Sequence, residues 1–102
     1  MRFKQGVKVN GIKPEMTIAM VVCDGIYKSF GQELVITSVT DSVHSVGSLH
    51  YVGYSFDARI RDFLSSDLEH IHKSIKANLT DEFDVVLEAT HFHIEMQPKV
   101  PR

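Results

Sequence analysis

The sequence predicts a small single α+β domain, residues 1–102, in which two main helices pack on a mostly antiparallel sheet. Two observations predict it. Segments of helical and strand period alternate in the order helix, strand, strand, helix, strands, a pattern that packs helices on one sheet rather than building βαβ repeats. The length of 102 residues suits one hydrophobic core and is too short for two.

Residues 1–13 carry Gly6 and Gly11 and alternate weakly through Val7 and Val9, an extended arm or short edge strand. Lys13-Pro14-Glu15 starts a helix, because proline suits the first helical position and an acid in the first turn complements the helix dipole. Met16, Ile18, Ala19, Met20, Val21, Val22, Ile26, Tyr27 and Phe30 follow, with a buried face at roughly helical spacing, and Gly31 is placed as the terminating glycine, giving a helix over 14–30. Gly25 weakens this helix by up to ~1 kcal/mol relative to alanine, which points to a close packing contact there. Leu34–Val39 is short and β-branched, the signature of a central strand. The stretch 40–48 is small and polar, a loop. Ser65-Ser66-Asp67-Leu68 opens a second helix with a serine as cap, and Leu68, Ile71, Ile75 and Leu79 form its buried face. Phe83–Leu87 and His91–Met96 read as two strands, joined through Glu88-Ala89-Thr90 by a tight hairpin or a bulge.

Composition removes several classes of function. A net charge of −2 and the lack of a basic run with interleaved aromatics argue against nucleic acid. No apolar stretch approaches the ~20 residues of a membrane span. The N-terminal residues are too polar for a signal peptide, so synthesis in a cytoplasm is expected, and a substrate outside it would need another protein to provide the route. The single cysteine, Cys23, lies in an apolar run and is expected to be buried and inert.

The chemistry-bearing residues concentrate in two stretches. Ser48-Leu49-His50-Tyr51-Val52-Gly53-Tyr54-Ser55-Phe56-Asp57 holds a histidine and an aspartate seven residues apart. In a continuous strand these would lie roughly 23 Å apart on opposite faces, so if both bind one ion the chain must turn, and Gly53 is the place for it. Glu88-Ala89-Thr90-His91-Phe92-His93-Ile94-Glu95 adds two histidines that share one strand face, flanked by acids. Each element alone is a weak signal; together they read as the ligands and acid/base group of one zinc site. Arg59, two beyond Asp57, would share its face, either as a solvated arginine or as a clamp for a substrate carboxylate. His70 and His72, two apart on a helix, do not face one direction and read as surface residues. His44 reads as a solvated loop residue.

These two stretches resemble the metal motifs of the zinc D-Ala-D-Ala metallopeptidases, a family of carboxypeptidases, dipeptidases and small phage endolysins that cut peptidoglycan stem peptides. Ser48-X-His50-X-X-Gly53-X-X-X-Asp57 is similar to the first motif and Glu88-X-X-His91-X-His93 to the second. The resemblance implies the small antiparallel scaffold shared with the hedgehog domain, Zn2+ as cofactor, and a peptidoglycan stem peptide as substrate. It implies His50 and Asp57 as zinc ligands. For the third ligand it favours His93, leaving His91 as a second catalytic group; in the other alignment His91 binds the metal and Glu88 is the base. Ser48 and Arg59 fall on the substrate-binding side. Thr90 stands where the His93 alignment expects an acid, which moves the acid/base role to Glu88 or His91. The chain also has no basic residue in the loop before the first motif. These two departures favour the rival reading, a catalytically inactive zinc-binding structural or interaction domain on the same scaffold. A third reading is a metal-free domain whose histidines are incidental.

Overall fold

The computed structural model describes residues 1–9, 12–39 and 55–96. Its elements are β1 (Arg2–Phe3), α1 (Pro14–Ser29), β2 (Val35–Val39), β3 (Ser55–Arg59), α2 (Ser65–Asn78), β4 (Phe83–Leu87) and β5 (His91–Met96). The strands form one sheet in the order β1-β2-β3-β5-β4, with only the β1–β2 pairing parallel. The α+β class, the two helices and the mostly antiparallel sheet are as expected. The turn expected at Gly53, together with His44, Ser48 and His50, lies outside the described residues.

Helix α1 starts as the sequence dictates, with Lys13 at the cap position, Pro14 first in the helix and Glu15 in its first turn. It ends at a glycine in the left-handed region, Gly31 at φ +85°. Gly31 N–H donates to the Lys28 carbonyl and Gln32 N–H to the Tyr27 carbonyl, both at 3.0 Å, so two of the orphan carbonyls of the last turn are satisfied. Met16, Ala19, Met20, Cys23, Ile26 and Tyr27 form the buried face, while Ile18 and Val21 lie on the exposed side of the helix. Cys23 is fully buried, and burial pushes its thiol up to about 12, which keeps it in the unreactive protonated form. Asp24 pins the helix to the sheet: its carboxylate meets Lys28, the Leu34 N–H and the terminal ammonium of Met1. Burial works against its charge, yet these three partners hold its carboxyl below the ordinary value.

Gly25 departs from expectation. It is exposed, and a Cβ built there meets no atom within 4 Å, so no close contact requires glycine. Its φ is ordinary for a helix, and the only positive-φ glycines among the described residues are Gly6 and Gly31. Gly25→Ala is therefore expected to stabilise the protein by about 0.5–1 kcal/mol through helix propensity alone, read as a rise in urea midpoint with unchanged slope.

Helix α2 begins without a side-chain cap. Leu64, not Ser65, occupies the cap position, and Asp67 N–H donates to the Leu64 carbonyl at 3.0 Å. Ile71 and Ile75 are buried, with Leu68 and Leu79 packed at the margin of the core. His70 is exposed as expected, but His72 is not a plain surface residue. Its ring lies 5.6 Å from that of Phe92, and its Nε2 is 2.7 Å from the Val85 carbonyl, so it joins α2 to β4.

Both helices cover one face of the sheet, where Ile36, Phe56, Ala58, Phe92, Ile94 and Val85 meet the helical side chains. Strand period then sends the alternate residues to the opposite face. Cross-strand partners in register include Asp57 with His93, Arg59 with His91, and Ser55 with Glu95. A register shift between Ile36 and Ser38 also brings Ser38 opposite Asp57, the re-aiming that a β-bulge performs. Among the described residues no helix is long and apolar enough to cross a membrane.

Candidate metal and acid/base site

Three of the sequence-selected residues meet on the face away from the helices. Asp57 is on β3, and His91 and His93 are on the neighbouring β5. His93 Nδ1 lies 2.7 Å from Asp57 Oδ1, and His91 Nε2 lies 3.6 Å from Asp57 Oδ2. Two residues the sequence reading gave no role complete the cluster. Glu95 Oε1 is 3.1 Å from His93 Nε2, and Thr90 Oγ1 is 2.9 Å from His91 Nδ1. Glu95 was legible in principle: it lies two residues beyond His93 on the same strand, so period 2 puts both on one face. Thr90, at the position where an acid was looked for, instead orients the His91 ring.

Glu88 follows β4 at the hairpin. Its N–H donates to the His91 carbonyl at 2.8 Å, which settles the link between the last two strands as a tight hairpin. This pairing puts Glu88 on the same sheet face as His91, with an exposed side chain. Arg59 is half-buried, on the Asp57 face. Its carbonyl accepts a hydrogen bond of 2.7 Å from the buried Tyr27 hydroxyl, so α1 anchors the end of β3 beneath the site.

The donors fit zinc by type: one carboxylate and two imidazoles are its usual oxygen and nitrogen ligands. The two imidazoles meet different oxygens of Asp57, His93 Nδ1 at Oδ1 (2.7 Å) and His91 Nε2 at Oδ2 (3.6 Å). Glu95 on the far nitrogen of His93 matches the carboxylate that commonly fixes a ligating imidazole. As they stand, Asp57 and His93 hydrogen-bond directly, and no three of the described His, Cys, Asp and Glu side chains converge on one point. A metal would therefore have to replace the Asp57–His93 hydrogen bond.

As it stands, the cluster is an imidazolium between two carboxylates. The hydrogen bond to Asp57 raises the His93 pKa most, burial opposes it, and Glu95 adds to the rise, bringing it to about 9 from 6.5. A raised histidine pKa stabilises the fold most below the unfolded value, and the benefit is lost as pH climbs through the folded value. Chelator-treated protein is thus expected to lose roughly 1–2 kcal/mol between about pH 6.5 and pH 9, solvent screening included. Urea titrations across that range check it, and a flat profile would refute the charged pairing.

A cleft of ≈ 710 Å³ opens beside this cluster, lined in part by Asp57, Arg59, Thr90 and His91. That volume falls within the usual range for ligand sites. Comparison of the chain with protein-family models, curated proteins and solved structures gives no match.

Proposed function

We propose that the chain is a zinc-dependent hydrolase of peptidoglycan stem peptides, of D,D-carboxypeptidase or endopeptidase type. The observation that carries the reading is the grouping of Asp57 with His93, its register partner, and with His91 on one sheet face, where Asp57 and His91 line the cleft. The motif resemblance supplies the reaction and substrate class. Asp57 and His93, with His50 from the first motif, would hold the ion, and Glu95 would orient His93. When bound, zinc supplies an acidified water near neutral pH and polarises a carbonyl. Glu88, exposed on the site face, takes the proton of the attacking water and returns it to the leaving amine. His91, which lines the cleft with its Nδ1 held by Thr90, serves as the second catalytic group. Arg59 meets a substrate carboxylate in a bidentate contact.

The test pairs metal analysis with hydrolysis of purified peptidoglycan peptides by wild type and Glu88→Gln. About one zinc per chain in both proteins is expected, with a loss in the variant of roughly 10²–10⁴-fold in rate. Equal rates would remove Glu88 from the chemistry. Zinc retained with no hydrolysis by either protein would favour the inactive zinc-binding domain. No zinc uptake by either protein would end both readings.

A further inference from the structure

The cleft has a second chemical character besides its Asp57–His91 wall. Lys4, Arg59 and Arg61 all line it, and Asp57 is the only acid among its described lining residues. The three cations come from separate places: just past β1, the end of β3, and the turn into α2. Lys4 is fixed there by backbone, since its N–H donates to the Ile36 carbonyl at 2.8 Å and so extends the β1–β2 pairing. Among the described residues, none of the ion pairs involves any of the three. The chain as a whole carries −2, so this grouping runs against its overall charge. The acids Asp81, Glu82, Asp84 and Glu88 instead fall in and around β4, at the other edge of the sheet.

Like charges held round one concave surface repel one another, and an anion between them relieves that cost. Arg59 alone suffices for a carboxylate beside the Asp57–His91 centre. Lys4 and Arg61 are in excess of that need. We infer that Lys4 and Arg61 form a second anion subsite, which selects peptides bearing a carboxylate remote from the bond at the metal. This rests on the peptide-hydrolase reading for the class of ligand, while the selection itself rests on the cations.

The probes are the tripeptides Ala-Glu-Ala and Ala-Gln-Ala, titrated into the full chain with binding followed by NMR shifts and calorimetry. Ala-Glu-Ala is expected to bind roughly tenfold more tightly, the worth of one charge-assisted contact, with the preference shrinking in high salt. Lys4→Gln and Arg61→Gln should each reduce the preference, and the double variant should abolish it while leaving Ala-Gln-Ala affinity unchanged. Both side chains are exposed, and thermal melts verify that the variants fold. Equal affinity of the two peptides, or a preference that survives in the double variant, overturns the subsite. Displacement of Ala-Glu-Ala by an equal concentration of inorganic phosphate overturns its assignment to carboxylates. The titrations are repeated with chelator. A charge preference that persists without metal supports the subsite even if zinc binding fails, so the two readings fail separately.

Discussion

Under the zinc-hydrolase proposal, Asp57→Ala is expected to abolish stoichiometric zinc binding and to lower peptide hydrolysis by a factor on the order of 10³ or more. Asp57 is the residue that both histidines face: one carboxylate oxygen lies 2.7 Å from His93 and the other 3.6 Å from His91. Removing it takes away the proposed ligand and leaves two imidazoles without their common anchor. The metal-free protein provides a second readout. Without Asp57, the largest cause of the raised His93 pKa disappears, so its NMR titration midpoint should fall towards the ordinary histidine value. Asp57→Asn keeps the shape and removes the charge, which separates ligation from packing. Zinc content unchanged in both variants would overturn the assignment of Asp57 as a ligand, whatever happened to stability.

The second large effect concerns the scaffold. Phe92 is fully buried on β5, between the two histidines in sequence and on the opposite sheet face from them. Its ring contacts the core and lies beside His72. Phe92→Ala is expected to cost about 3–5 kcal/mol, a third or more of the stability of an ordinary domain of this size. The neighbouring strand offers a control. Val86 is 44% exposed, and Val86→Ala should change stability by less than about 0.5 kcal/mol. Urea unfolding measures both as a shift in midpoint at constant slope. Because β5 carries both site histidines, the Phe92 variant should also bind metal more weakly, although Phe92 lies on the far side of the sheet. Equal costs for the two variants would mean that Phe92 does not pack in the core as described.

Local chemistry made most of the fold legible. Pro14 and Gly31 bracket a helix because one fits the first turn and the other alone takes φ +85° without strain. The strand His91–Met96 follows from alternation, and Phe83–Leu87 from its short β-branched and apolar composition. The start of α2 misled because Ser65 suits a cap, yet the chain enters the helix one residue earlier at Leu64. Cap preference is worth only ~1 kcal/mol, and tertiary packing overrides it. The site was legible as far as residues of one strand share a face, as with His91 and His93. That Asp57 stands opposite His93 depends on strand order and register, which no local pattern encodes. His72 shows the same limit: helical spacing gives its direction, but only the placement of α2 over β4 reveals a carbonyl within its reach.

That carbonyl matters for how the protein behaves among its own copies. β4 ends the sheet on one side. Since Glu88 and His91 exchange a hydrogen bond, antiparallel alternation turns the Val85 carbonyl outward, away from β5. An outward carbonyl in the middle of an edge strand invites a foreign strand to dock and is a seed for fibre growth. His72 already occupies it at 2.7 Å. The histidine that ties helix to sheet thereby takes one acceptor of that edge out of reach of a foreign strand.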